Sequence, residues 1–323
     1  MKAIVQDVYG SVEVLELRDV DNPVPGDDDV LIRVRAAGVD QGVWHLMTGL
    51  PYLTRAIGFG LRKPKTRIRG RAVAGRVEAV GRNVVGFRVG DEVYGTCDGS
   101  FAEYACAKEG RLALKPANLS FEQAAAVPIS AVTALQALRD AGKVQAGQEV
   151  LIIGAAGGVG AYAVQLAKAF GAKVTGVCST TKTDLVRSIG ADHVIDYKHD
   201  DFADGARQFD LIVDIAGNRP LSVLRRALTP KGTLVIAGGE GGGKLTGGFE
   251  RSLGAALRSV FVSQQLKGLV SVERAEDLRF LTGLLEAGTV TPVVDRSYAL
   301  ADAPAAIQYM RDGRARGKVV VTV

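Results

Sequence analysis

The run Val150-Leu151-Ile152-Ile153-Gly154-Ala155-Ala156-Gly157-Gly158-Val159-Gly160-Ala161 decides the fold. Its apolar start reads as a buried strand, glycines then break it, and Val159, Ala163, Leu166, Ala167 and Phe170 recur at the spacing of a helix packed on a sheet. Gly154, Gly157 and Gly160 stand three residues apart, with Ala156 where the commoner Gly-x-Gly-x-x-Gly pattern has its second glycine. Missing β-carbons let backbone approach a diphosphate, and the free N–H groups and dipole at a helix start favour negative charge. Gly160 also allows tight helix-on-strand packing. The strand before and the helix after distinguish such a cradle from an ordinary tight turn, so Gly154, Ala156, Gly157, Gly158, Val159 and Gly160 are expected to hold a dinucleotide.

The next strand, 173–178, runs into Ser179-Thr180-Thr181-Lys182, where an NAD enzyme would carry an acid for the ribose 2′-hydroxyl. No acid stands there. The hydroxyls of Ser179 and Thr180 with the ammonium of Lys182 would suit a 2′-phosphate, which predicts NADPH; the alternative is that they cap the following helix. Further strands at 149–154, 193–196, 209–214 and 232–237 alternate with amphipathic stretches, the pattern of a doubly wound parallel sheet. A glycine-rich loop at 238–243 precedes a basic helical stretch, and 261–272 reads as one more strand.

Before residue 120 the texture differs: β-rich stretches alternate with glycine and proline punctuation. In 29–36, Val30, Ile32 and Val34 fall on one face and Arg33 and Arg35 on the other, a half-buried strand, and 72–80 alternates similarly. Ser120 and Gln123 form a capping pair ahead of an alanine-rich helix. A chain of 323 residues, 47% hydrophobic and 23% charged, has material for two compact domains and is not disordered. No apolar run is long enough for a spanning helix and no signal-peptide core opens the chain, so a cytoplasmic protein is expected. Cys97, Cys106 and Cys178 are too few and scattered for a disulfide framework or a zinc cluster. The net charge of +5 is concentrated between Arg55 and Arg71, where seven basic residues occur without an acid. That run reads first as a solvated loop, then as a rim for cofactor phosphates or a nucleic-acid contact, although no aromatic platform accompanies it.

Several motifs occur in one order: Gly75-Arg-Val-Glu-Ala-Val-Gly81, Phe87-Arg-Val-Gly-Asp-Glu-Val-Tyr-Gly95, Ala124-Ala-Ala-Val-Pro128 with Thr133, Ala155-Ala-Gly-Gly-Val-Gly160, Gly190-Ala-Asp-His-Val-Ile-Asp-Tyr197 and Gly317-Lys-Val-Val-Val321. Together they resemble the medium-chain dehydrogenase/reductase superfamily, in its zinc-independent quinone-oxidoreductase-like branch. The resemblance implies an α/β protein with a β-rich GroES-like catalytic domain at 1–122, a Rossmann NADP-binding domain at 123–269 and a return segment at 270–323. It also implies a homodimer joined through Rossmann sheet edges and an active site in the cleft between the domains. By the same resemblance Tyr197 would stand near the 2′-phosphate, Thr133 at the nicotinamide, Asn218 and Gly238 along its ribose, and Lys318 facing the cleft.

The chain departs from its relatives at two points. The catalytic zinc ligands of alcohol dehydrogenases correspond to Asp40, Arg71 and 128–129, and an arginine stays protonated, so no metal is expected. His45, His193 and His199 read as surface or loop residues, not as a ligand set. Where relatives carry Asn-Pro-x-Asp-Trp, this chain has Asp40-Gln41-Gly42-Val43-Trp44. The expected reaction is hydride transfer from NADPH to a quinone or an α,β-unsaturated carbonyl, with Tyr52 and Gln41 as hydrogen-bond donors and Asp40 as a polar organiser. Two alternatives stand beside it: a nucleotide-binding protein with little turnover and a sensing or RNA-binding role, and an alcohol dehydrogenase-type activity. The expected partner is a small quinone or carbonyl substrate, and neither nucleic acid nor a membrane is expected.

Overall fold

A computed structural model describes residues 1–217, 219–239, 243–259 and 261–323, with Ile57 described by its backbone. The chain divides into two compact units, one of residues 1–132, 273–288 and 292–323 and the other of 133–272 and 289–291.

In the first unit, β1 (Lys2–Val5) pairs antiparallel with β2 (Glu16–Asp19). The central strand is β3 (Asp29–Val39): Val30, Ile32 and Val34 are buried while Arg33 and Arg35 are exposed, as the alternation predicts. From Ala36 to Val39 both faces are buried. There the backbone carbonyl of Ala125 lies so close that a β-carbon at Gly38 would collide with it. Next come α1 (Gln41–Thr48) and the one-turn α2 (Tyr52–Thr54), then β4 (Ala72–Val80), β5 (Glu92–Thr96), β6 (Tyr104–Lys108), β7 (Leu112–Leu114) and α3 (Phe121–Ala125). Helix α1 is a correction, since strands and turns alone are expected throughout this region from its sequence. Asp40 caps it, accepting the Val43 N–H at 3.3 Å. The predicted cap of α3 is present in full, Ser120 and Gln123 bonding each other's backbone N–H.

The second unit begins in α4 (Ser130–Leu135) and continues through β8 (Glu149–Ile153), α5 (Gly158–Ala169), β9 (Lys173–Cys178), α6 (Thr183–Ser188), β10 (His193–Asp196), β11 (Phe209–Asp214), α7 (Leu221–Arg226), β12 (Leu228–Ile236), α8 (Phe249–Ser259) and β13 (Gln265–Gly268). The six strands are all parallel in the order β10-β9-β8-β11-β12-β13, so chain direction across the sheet reverses between β8 and β11. That reversal is the doubly wound arrangement whose ligands bind at the carboxyl ends of the strands beside the switch point. Leu151, Phe209, Ile212 and Leu234 form its dry core. The expected strand over 261–272 shrinks to Gln265–Gly268, because only those four residues pair with β12. Phe261 and Val270 are 87% and 75% exposed.

The returning chain supplies α9 (Ala275–Glu286), β14 (Val294–Ala299), α10 (Ala303–Arg311) and β15 (Lys318–Thr322). Strand β15 pairs parallel with β14 and antiparallel with β3, which completes a seven-stranded sheet ordered β14-β15-β3-β4-β5-β7, with β6 also on β3. The β-branched tail is thus a central strand of the first unit. No helix among the described residues is long and apolar enough to cross a membrane.

Candidate active site

In the second unit, the turn after β8 is held by two bonds to one carbonyl: Gly154 N–H at 3.1 Å and Ala155 N–H at 3.0 Å both donate to Val177 O. Gly154 has φ +90°, in the left-handed region that favours glycine. Gly157 precedes the first turn of α5 in an extended conformation, and the amides of Gly158, Val159 and Gly160 have no upstream helical carbonyl to bond. A β-carbon on Gly160 would run into the Gly154 carbonyl and lie 2.8 Å from Ala155 backbone atoms. Ala156 is buried, so its methyl serves packing. Close backbone, a cluster of free amides and space that a side chain would fill are what a diphosphate requires.

At the end of β9, Ser179 precedes the 3-10 turn Thr180–Lys182, but its hydroxyl makes no capping bond. Capping therefore does not explain it, and a half-buried hydroxyl remains for a ligand. Thr180 is engaged: its hydroxyl bonds the Asp196 carboxylate, which also accepts the Lys198 N–H at 3.1 Å, and the Thr180 bond leads the effects that hold the Asp196 pKa below the ordinary carboxylate value. Asp196 is thus an acid beside the predicted 2′-phosphate corner. Sequence reasoning misses it because it arrives on β10, opposite Cys178, and not at the end of β9. Tyr197 follows it, 50% exposed and tied to Cys178 O through its N–H. Thr133 is half-buried on α4. A β-carbon on Gly238 would collide with the Ile215 carbonyl, and the Gly238 N–H donates to Asp214 O at 3.2 Å, while Asn218 lies outside the described residues. Missed altogether was the ion pair between Arg251 and the fully buried Asp214 at the end of β11. Arg251 also donates to Arg219 O at 2.7 Å, and Asp214 receives the Gly217 N–H at 3.0 Å, fixing the loop after β11. Thirty-seven residues separate the partners, so no local pattern announces them.

In the first unit, one end of the seven-stranded sheet carries a row of polar side chains. Lys318 starts β15 and is only 3% exposed, its Nζ donating to Val39 O at 2.8 Å. Burial pushes its pKa below the ordinary lysine value, against the opposing pull of Asp40. Asp40 is 7% exposed, and its second carboxylate oxygen is enclosed without a hydrogen-bond partner. Oε1 of Gln41 is likewise enclosed and unpartnered. One step beyond the Gly38–Ala72 pair of β3 and β4 comes Arg71, which donates to Glu273 at 2.8 Å. Thr96, ending β5, donates to the same oxygen at 2.8 Å. The row therefore runs Lys318, Asp40, Arg71, Thr96 and Glu273, and in it Arg71 pairs with the Glu273 carboxylate while its Nε stays enclosed without a partner. Thr96 and Glu273 were not anticipated, since their role is visible only once sheet register aligns them with Arg71.

Tyr52 takes no part in the hydrogen bonds and ion pairs of this row. It opens α2, is 47% exposed, and its ring lies 4.8 Å from the Arg55 guanidinium, which also covers Tyr9 at 4.2 Å. Arg55 donates to Gly49 O at 2.8 Å and Thr48 O at 3.2 Å, closing the end of α1. The basic run is therefore not a plain solvated loop. Arg62, Lys63 and Lys65 are exposed, but Arg55, Arg69 and Arg71 turn inward and Arg67 pairs with Asp7 at 2.6 Å. His45 also needs correction: it sits half-buried within α1 with Nδ1 2.8 Å from Leu50 O. His193 and His199 are exposed, on β10 and just after it. Among the described residues no three His, Cys, Asp or Glu side chains gather as a metal site.

Comparison with known proteins gives this geometry a family. Residues 26–117 match the alcohol dehydrogenase GroES-like domain, and residues 189–321 match the family described as zinc-binding dehydrogenase. The chain is 36% identical to 2-methylene-furan-3-one reductase of Solanum lycopersicum over 99% of its own length and 79% of that protein. It is 32% identical to the quinone oxidoreductase of Sus scrofa over 99% of its length and 97% of that protein. The structure of a mycobacterial protein complexed with NADPH superposes with a TM-score of 0.85 at 26% identity, covering 100% of both chains. A glycine cradle at the switch point of a parallel sheet, a GroES-like unit closed by the chain's own end, and likeness along the whole sequence lead to one conclusion: the chain belongs to the medium-chain dehydrogenase/reductase superfamily of oxidoreductases, in its quinone-oxidoreductase-like branch.

Proposed function

We propose that this enzyme uses NADPH, without zinc, to reduce a quinone or an α,β-unsaturated carbonyl. The observation that carries the reading is the Gly154–Gly160 cradle, with Lys182 and the Ser179 hydroxyl, which makes no capping bond, at the neighbouring strand end. Gly158, Val159 and Gly160 offer amides to the diphosphate, and Ser179, Lys182 and Tyr197 receive the 2′-phosphate, while Thr133, Gly238, Asn218 and Lys318 bear on the nicotinamide end. Bound there, the reduced nicotinamide supplies a hydride. The chain must then steady negative charge on the acceptor oxygen and see a proton delivered. Tyr52 and Gln41 are the donors proposed for that oxygen. Asp40 orients the row, and Arg71, clamped by Glu273, fixes positive charge where alcohol-dehydrogenase relatives carry a zinc ligand. The two acceptor classes follow from the names of the relatives, a furanone reductase and a quinone oxidoreductase.

Stopped-flow loss of NADPH absorbance with a panel of quinones and enones tests the proposal. Oxidation is expected with at least one class in metal-free protein. A protein that binds NADPH yet oxidises it with none of them, or that needs stoichiometric zinc, contradicts it. The RNA-binding alternative loses support because three of the seven basic residues in the run face inward and a fourth, Arg67, is paired with Asp7. We further propose a cytoplasmic homodimer. Strand β13 leaves one edge of the six-stranded sheet open, and Leu253 and Leu257 on the adjoining α8 are 64% and 61% exposed. Sedimentation equilibrium at twice the monomer mass is the expected result.

A further inference from the structure

Arg69 is the one arginine in the buried class among the described residues, 3% exposed, and it has no ion pair or hydrogen bond for its guanidinium. We propose that Arg69 is the receptor for the carboxylate of a small organic acid. The other engaged arginines of this run have partners: Arg55 caps carbonyls, Arg67 pairs with Asp7, and Arg71 pairs with Glu273. Arg69 has lost more water than any of them. A charge moved out of water is strongly disfavoured unless a counter-charge or hydrogen bonds replace the solvent. Burial accordingly lowers its pKa, to about 10, and at neutral pH the group is still a cation.

The groups around it do not supply the missing anion. Tyr9 exerts a favourable field only when ionised, and burial raises its pKa further above neutrality. Its hydroxyl is committed to the carbonyls of Phe59 and Gly60, each at 2.7 Å. Asp98 is exposed and forms no ion pair with Arg69. The backbone at this position is fixed, Arg69 N–H donating to Ile4 O at 3.1 Å and Arg69 O accepting from Phe101 N–H at 2.8 Å. Nε is fully enclosed, and the terminal nitrogens keep the little exposure that remains. Ser100, in the turn packed against Gly70, has an enclosed Oγ with no partner, a second polar group with spare capacity in the same segment. A buried guanidinium with its terminal nitrogens still partly exposed presents a planar fork that matches a carboxylate with two parallel N–H bonds.

The carboxylate could belong to the reduced acceptor or to a separate acid, and only the first source rests on the proposed reaction. The test uses the whole chain in three forms: wild type, Arg69→Met and Arg69→Lys. Calorimetric titration with benzoate is expected to register binding to wild type, weakened roughly 10-fold or more in Arg69→Met and by less in Arg69→Lys, which keeps the charge but not the fork. A matched pair of acceptors, 4-phenyl-3-buten-2-one and its ring carboxylate, then separates the sources. A KM advantage for the acid that Arg69→Met abolishes, with kcat little changed, assigns the carboxylate to the acceptor. Benzoate binding with no such advantage assigns it to a free acid. Failure of wild type to bind benzoate or the acid enone, or equal binding by wild type and Arg69→Met, overturns the proposal. Should Arg69→Met not fold, the wild-type titration and Arg69→Lys decide alone. Failure to oxidise NADPH with any acceptor would sink the proposed reaction, and the benzoate titration would still decide whether Arg69 receives a carboxylate.

Discussion

The two halves of the chemistry are built in opposite ways. The cradle after β8 is made of backbone: Gly154, Gly157 and Gly160 lie within seven residues, and the turn is held by carbonyl bonds such as those to Val177 O. The polar row of the first unit is made of side chains from positions 40, 71, 96, 273 and 318, and it leaves atoms of Asp40, Gln41 and Arg71 enclosed without partners. Backbone recognition depends on the absence of side chains and tolerates little variation. Side-chain recognition can be rewritten one residue at a time, as Arg71 with Glu273 illustrates. A common cofactor and a variable acceptor are the natural products of that division.

Breaking the first half should have the largest effect. Gly160→Val thrusts a branched side chain into the Gly154 carbonyl, and we expect a loss of about 3 kcal/mol of stability, with cofactor binding abolished. Thermal melting with and without NADPH reads both, and a variant that still gains stability from NADPH would contradict a backbone cradle. Breaking the second half should spare the cofactor. Glu273→Ala strands a partly buried Arg71, and kcat/KM for acceptors should fall roughly 10- to 100-fold while the NADPH Kd moves less than about twofold. Equal losses in both quantities would erase the distinction between the halves.

The smallest effect concerns surface charge away from both. The Lys108 ammonium, 2.8 Å from Asp29, holds that carboxyl below the ordinary aspartate value. A carboxylate with a depressed folded-state pKa contributes stability that is fully present above the unfolded value near 3.8 and is lost as pH falls through the folded value. Asp29→Asn should therefore lower stability at neutral pH by less than about 1 kcal/mol, with the difference vanishing in acid and both ligand sites unaffected. Urea unfolding at several pH values checks this, and a difference that persisted below the folded pKa would contradict it.

Legibility in the sequence follows the same division. Strands β8 to β12, helix α5 and the cradle announce themselves because period, glycine spacing and order are local signals. The fate of the tail was half legible: the resemblance implies a return segment at 270–323, but the place of Lys318–Thr322 beside β3 depends on contacts nearly 280 residues distant in sequence. Helix α1 was missed because Gly42 and the short apolar stretch after Asp40 give a weak helical signal, which the cap at Asp40 makes good. The Arg55–Arg71 charges looked solvated because charge alone does not reveal which side chains turn inward. Thr96, Glu273, Asp214 and Arg251 were invisible for a simpler reason: each acquires its role from a partner on a distant element.

Calorimetric titration of the pure protein with NADPH and NADH, repeated on Lys182→Ala, tests the central claim most directly. The account predicts binding of both dinucleotides, NADPH favoured by roughly 10-fold or more, and that preference lost in Lys182→Ala with NADH affinity unchanged. Tight NADH binding with no gain from the 2′-phosphate would assign the corner to Asp196 and the ribose hydroxyl, and binding of neither would contradict the account.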